Sequence, residues 1–232
     1  MSKEVKNMNK ILVIAPHADD EILGCGATMV KEVAKGNDVY VLVCTNASKG
    51  APEQFSEELI KTIRNEALKA HKVIGVKETL FMEFPAPVLD QYPRFKISIA
   101  ISEIIRKYEI DTVFVPHKGD CHMDHTVIHD CAMVACRPLA NCKVKHIYAY
   151  ETLSETEWGE PIAANAFVPT KFITFSVEEF ANKLDAMNCF ETQLYSFPAS
   201  RSLEAIEALA KYRGATVSAY RAEAFEVLRD ID

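Results

Sequence analysis

Through residue 150, short apolar runs alternate with longer stretches of helical period. Residues 11–15, 39–44, 79–82, 112–115 and 146–150 are rich in β-branched and aromatic side chains and bounded by turn formers, the pattern of strands. Between them, 21–35, 53–74, 94–108 and 124–136 are each long enough for a helix, and Gly36 and Gly75 stand where C-terminal caps belong. This alternation predicts an α/β, Rossmann-like fold: a mostly parallel sheet with helices on both faces. Beyond Tyr150 a polar loop leads to an apolar run at 172–175. Helices are then expected at roughly 177–194, 203–212 and 217–228, separated by Pro198 and Gly214. No internal repeat, low-complexity tract or linker interrupts the pattern, so residues 1–232 read as a single domain.

Composition narrows the class. The chain has 26 basic and 33 acidic side chains and a formal charge of −7, a sign that opposes non-specific binding to nucleic acid or anionic lipid. Its 7 cysteines are odd in number and form no CxxC pair, which argues against a disulfide framework or zinc ribbon and suits a reducing cytoplasm. The apolar run after the first lysines is stopped by Pro16 and His17, too early for a signal peptide or a membrane span of about 20 residues. A soluble, cytoplasmic protein without membrane insertion is expected, and a homo-oligomer is compatible with its size.

Chemistry gathers at two predicted strand ends. The first strand runs into APHADDEILGCG, placing His17, Asp19, Asp20 and Glu21 at its exit. Acids there can simply serve a helix N-terminus, by accepting from free N–H groups and by matching the dipole. The strand at 112–115 runs into PHKGDCHMDHTVIHD, which carries His117, His122, His125 and His129. In open parallel sheets ligands collect at the carboxyl ends of strands, so the two loops can meet despite about a hundred intervening residues. His17 and Asp20 can aim a nitrogen and an oxygen at one point, and one histidine from the second loop completes three ligands. That set leaves a fourth position for water, whose pKa a zinc ion moves from 15.7 towards about 7. Spacing alone does not choose the third ligand: His125 and His129 lie one helical turn apart, and His122 lies in the loop ahead of them.

PHADDE followed by HMDH resembles the PIG-L / LmbE-like deacetylases, zinc hydrolases that remove an acetyl group from N-acetylated amino sugars and related compounds. Ala18 stands where that motif usually has proline. IRNEALKAHKVIGV, KLDAMNCFETQ and RGATVSAYRAEAF are also similar to family segments, so the resemblance runs over most of the chain. It implies that His17, Asp20 and His125 hold Zn2+, with Fe2+ or another divalent cation as alternatives, and that Asp19 is the general base. It further implies that a protonated His122 stabilises the oxyanion or protonates the leaving amine, that Asp124 orients His122, and that Arg64 contacts substrate. The partner implied is a small-molecule amino-sugar substrate: an N-acetylated amino sugar, glycoside or nucleotide-sugar.

Other features have plainer readings. Gly24-Cys25-Gly26 matches part of a dinucleotide fingerprint, but Met29 stands where a third small residue is needed, so close helix–sheet packing is expected of these glycines. Cys131, Cys136 and Cys142 read as small buried residues, and Cys121 as a nucleophile ranks below metal-activated water. Arg201 and Arg213 are expected to pair with surface carboxylates, with a substrate phosphate as the alternative. Trp158 reads as a packing residue or as part of a loop over a sugar cleft. Two rivals to the deacetylase stand: a metal-dependent hydrolase of a non-sugar amide or phosphoester, and a non-catalytic binding protein stabilised by its metal.

Overall fold

In a computed structural model describing residues 8–139 and 141–232, the chain builds one seven-stranded sheet. Its elements run β1 (Lys10–Ala15), α1 (Asp20–Ala34), β2 (Asp38–Asn46), α2 (Glu57–Ile74), β3 (Glu78–Pro85), α3 (Arg94–Tyr108), β4 (Thr112–Pro116) and α4 (Met123–Ala135). These are followed by β5 (His146–Tyr150), β6 (Lys171–Thr174), α5 (Val177–Met187), α6 (Leu203–Ala215) and β7 (Ala222–Asp230). The spatial order is β3-β2-β1-β4-β5-β7-β6: five parallel strands, then β7 antiparallel to both its neighbours.

The period of two along β1 sorts its side chains between two cores. Ile11 and Val13 pack with residues of α1, α2, α5 and α6, whereas Leu12 and Ile14 pack with α3 and α4. The predicted helix caps are seen. Gly75 ends α2 at φ 88°, its N–H bonding the His71 carbonyl, and Gly36 takes φ 87° just past α1. Gly24 and Gly26 also serve the packing expected of them. A Cβ at Gly24 would lie 2.2 Å from Cδ2 of Tyr150, and one at Gly26 would lie 2.7 Å from Cγ of Lys183.

Three expectations need correction. The helix expected at 217–228 is instead a turn followed by β7. Its alanines, glutamates and leucine favour a helix locally, but the gap between β5 and β6 offers hydrogen bonds along both edges, and burial of Ala222, Ala224 and Phe225 completes the sheet. The helix expected at 53–74 begins at Glu57, where Ser56 Oγ accepts from the Leu59 N–H as its cap. The helix expected at 177–194 ends at Met187, after which the chain turns and places Phe190 in the core.

Candidate metal centre

Register explains why the two acidic and histidine-rich loops meet. β1 and β4 are parallel neighbours, with Val13 opposite Phe114, so Pro16–His17 and Pro116–His117 leave the sheet side by side. The strand order reverses there, at the switch point where α/β sheets bind ligands.

The first loop is a tight turn into α1. The Asp20 carboxylate accepts from the His17 N–H at 2.9 Å, and the Asp19 carbonyl accepts from Ile22 and Leu23. Ala18, at the position where the motif usually has proline, is buried in the core. The three consecutive acids then part company. Asp20 Oδ2 lies 3.4 Å from His17 Nδ1 and 3.2 Å from His125 Nε2. The Asp19 carboxylate meets the Arg201 guanidinium at 3.1 Å. Glu21 points back into the fold, accepting from the Asp19 N–H and meeting His71 Nε2 at 2.9 Å. Asp19 itself sits at φ 122°, a conformation that costs on the order of 1–3 kcal/mol in a non-glycine residue.

The second loop delivers His122 as the N-cap of α4 and His125 one turn in. His122 Nδ1 accepts from the Asp124 N–H at 3.2 Å, so the neutral ring carries its proton on Nε2. The Asp124 carboxylate turns elsewhere: Oδ2 lies 3.1 Å from His17 Nε2, and Oδ1 accepts from the Leu89 N–H. Behind His125, Asp120 Oδ2 meets Nδ1 at 2.8 Å, while Asp120 Oδ1 accepts from Thr156 Oγ1 at 2.6 Å. A histidine ligand whose far nitrogen is fixed by a carboxylate is the usual arrangement at metal sites.

Donor atoms of His17, Asp20 and His125 lie within 4.8 Å of one another, and so do those of His17, His122 and Asp124. Two buried atoms of the first set, Asp20 Oδ1 and His125 Nε2, have no hydrogen-bond partner. Such atoms are costly in a protein interior, and their presence in a His-Asp-His set this tight suits a cation. Among the protein groups alone, the histidines carry the compensating charge. Burial opposes it, but contacts with Asp124 and Asp20 raise the His17 pKa to about 9, and Asp20 raises that of His125. Asp20 is lowered against its burial by His125 and His17. Burial raises Asp19 to about 8 despite Arg201, and burial together with nearby His17 lowers His122. His17 is 26% exposed while Asp20 and His125 are fully enclosed, so the cluster opens on the His17 side.

The remaining residues singled out from the sequence fall outside this cluster. Arg64 stands near the carboxyl ends of β2 and β3, bonded to Glu83 at 2.6 Å and to the Met82 carbonyl, with Phe81 beneath it. It lines a cavity of about 440 Å³. His117 is held between Glu226 and the Asn165 carbonyl, and His129 bonds the Pro116 carbonyl. Cys121 gives its thiol hydrogen to Glu155, and burial with that contact pushes its pKa up to about 12, a protonated state unsuited to a nucleophile. Cys131 and Cys136 are buried as expected, Cys142 is half-buried, and Trp158 is exposed. Arg213 forms a two-pronged pair with Glu151, lining a cavity of about 580 Å³ between α6 and the 151–167 loop. Arg201 departs from the surface pairing expected of it, since its acceptor Asp19 is buried. Asp120 also escaped the sequence reading, although it stands five residues before His125.

Fold and cluster together define a Rossmann-like α/β domain with a His-Asp-His cluster, able to hold a metal ion, at its switch point. The chain belongs to the PIG-L (GlcNAc-PI de-N-acetylase) family, whose model matches residues 12–136, and is an N-deacetylase. It is 30% identical over 182 residues to the uncharacterized deacetylase YaiS of Escherichia coli, covering 76% of this chain and 88% of YaiS. It is also 30% identical over 132 residues to the diacetylchitobiose deacetylase of Thermococcus kodakarensis, covering 54% of this chain and 48% of that protein. The conserved protein TT1542 of Thermus thermophilus shares the fold, with a TM-score of 0.77 at 23% identity over 97% of both chains. No described helix is long and apolar enough to cross a membrane.

Proposed function

We propose that this protein removes the acetyl group from an N-acetylated amino sugar, glycoside or nucleotide-sugar, using a divalent cation, zinc in the first instance, held by His17, Asp20 and His125. The observation that carries this reading is that donor atoms of His17, Asp20 and His125 lie within 4.8 Å of one another, with Asp20 Oδ1 and His125 Nε2 buried and without hydrogen-bond partners and a second acid, Asp19, next in sequence. When bound, the cation supplies Lewis acidity: it lowers the pKa of a water and polarises the amide carbonyl.

The side chains supply the rest. Asp19 follows His17 by two residues, and its carboxylate is fixed by Arg201 rather than spent in the ligand set, so it is the group to take the proton from the attacking water. His122, with Nδ1 engaged by a backbone N–H, keeps a donor at Nε2 for the developing oxyanion or the departing amine. Burial and His17 favour the neutral ring, which can hydrogen-bond the oxyanion but must gain a second proton before it can protonate the amine. Asp124 reaches His122 only through its backbone; its carboxylate accepts from His17 and orients that ligand instead. A substrate contact by Arg64 requires its release from Glu83. The diacetylchitobiose deacetylase among the relatives supports an amino-sugar substrate. We read residues 1–232 as one functional unit, since Arg201 and β7, from beyond the family-matched residues, reach back to Asp19 and α1.

Acetate release from a panel of N-acetylhexosamine conjugates by zinc-loaded protein tests the proposal. Turnover of phosphoesters or of simple non-sugar amides, with none of the panel, would replace it with the rival hydrolase. Asp19→Ala is expected to abolish turnover with zinc still bound, whereas His125→Ala loses the metal too. Full activity in Asp19→Ala removes that residue from its role.

A further inference from the structure

Arg201 brings a permanent cation to the edge of the histidine and carboxylate cluster. Among the described residues it is the only lysine or arginine ion-paired with Asp19, Asp20, Asp120 or Asp124. Its guanidinium spans three segments: Nη1 donates to Asp19 Oδ2 at 3.1 Å and to Gln193 Oε1 at 3.3 Å, Nε to Ser154 Oγ at 2.8 Å, and Nη2 to Glu155 Oε1 at 3.4 Å. The planar fork therefore has one orientation that satisfies all four acceptors.

Its backbone is equally fixed. The Tyr195 N–H donates to the Arg201 carbonyl at 2.9 Å, closing the loop before it, and the next residue, Ser202, is fully buried and caps α6. Asp19 needs such an anchor. Its backbone lies at φ 122° and is tied from behind by Glu21, which His71 holds in turn. Nothing in that tether constrains the carboxylate. Arg201 does, engaging Oδ2 and leaving Oδ1, which accepts no hydrogen bond among the described residues.

We propose that Arg201 is a positioning residue that holds the Asp19 carboxylate, by its Oδ2, at the orientation in which Oδ1 takes the proton. The proposal rests on Asp19 acting as base, and it separates Arg201 from two simpler roles: a substrate-binding cation and a structural clamp. A misplacement of about 1 Å in a reacting group can cost on the order of 100-fold in rate, so the effect belongs in kcat.

The test compares wild type, Arg201→Ala, Arg201→Lys and Asp19→Asn, all zinc-loaded, on an N-acetylhexosamine conjugate that wild type hydrolyses. Arg201→Ala should lose about 100-fold in kcat with KM within about threefold and zinc content unchanged. Added guanidinium ion, at concentrations that leave the protein folded, should restore about tenfold of that loss in Arg201→Ala and none in Asp19→Asn. Arg201→Lys, which keeps the charge without the fork, should fall between and serves if the alanine variant does not fold. A rise in KM with kcat intact makes Arg201 a substrate contact, loss of zinc places its action on the ligands, and unchanged kinetics make it an ordinary ion pair; each overturns the proposal. A crystal structure of the Arg201 variant gives a second readout free of activity, in which the Asp19 carboxylate should leave its wild-type position. An unmoved Asp19 sinks the positioning role. Should wild type deacetylate nothing in the panel, the functional reading fails on its own, and that structure still decides the Arg201 contact.

Discussion

His117 shows how a histidine inside a histidine-rich motif can be held in an architectural contact. Both ring nitrogens face acceptors, Glu226 at 2.9 Å and the Asn165 carbonyl at 2.9 Å, a pairing that only the doubly protonated ring satisfies with two donors. Burial opposes that charge, yet the contact with Glu226 raises the His117 pKa above its ordinary 6.5 and, against burial, lowers Glu226 below 4.5. The histidine's contribution is therefore complete below about pH 6.5 and lost as pH rises through its raised value. That of the glutamate is complete above about pH 4.5 and lost as pH falls through its lowered value. Glu226→Gln should cost about 2 kcal/mol between these limits and progressively less in alkaline buffer, read by thermal melts across pH; an equal cost at pH 6 and pH 9.5 contradicts the charged pair. The same contrast marks what was legible in the chain. His17, Asp20 and His125 could be found because two short motifs follow two strands, whereas nothing local distinguishes His117 from His125. Arg201 lies in a stretch with no periodic signal, and its contact with Asp19 spans 182 residues.

At the level of elements, α1 is the most constrained, since it carries the proposed metal-binding turn at one end and packs closely on the sheet along its length. Gly24 lies against the ring of Tyr150, which cannot swing away because its hydroxyl donates to the Ile14 carbonyl at 2.9 Å. Gly24→Ala should destabilise the protein by about 1–3 kcal/mol, and Gly36→Ala, strained only by its positive φ, by about 1 kcal/mol. Urea unfolding of both variants checks the order. On its other flank, α1 meets a buried ion pair: Lys183 of α5 bonds Glu223 of β7 at 2.6 Å and the Leu23 carbonyl, while Glu223 accepts from the Ala27 and Thr28 N–H groups. Lys183→Met leaves that carboxylate buried without its cation and should cost about 3 kcal/mol or more, part of which Glu223→Gln in the same chain recovers. This arrangement also explains why β7 was misread as a helix. Its residues favour a helix on their own, and only their partners, in β5, β6 and α1, are long-range enough to override that preference.

For the whole molecule, the proposed ligands, drawn from both ends of the matched region, would couple metal binding to the fold. A cation that binds the folded chain alone should raise stability by about 4 kcal/mol at 1,000 times its dissociation constant. Chelator-treated protein should accordingly melt lower and recover on titration with zinc. Recovery should weaken as pH falls below about 9, because His17, raised to about that value, and His125, also raised, must shed protons to bind. An unchanged melting temperature on zinc addition would speak against a site in this cluster. The parallel part of the sheet is legible in the chain because β2 to β5 each follow a helix in a repeating order; the antiparallel part is not, because β7 crosses back between strands made earlier. That crossing has a consequence for synthesis. Among the described residues β6 bonds to no strand but β7, and until residues 222–230 emerge from the ribosome, the nascent chain exposes the bare edge of β5 to any passing strand. An unpaired β5 edge that waits on β7 is the aggregation hazard built into this topology.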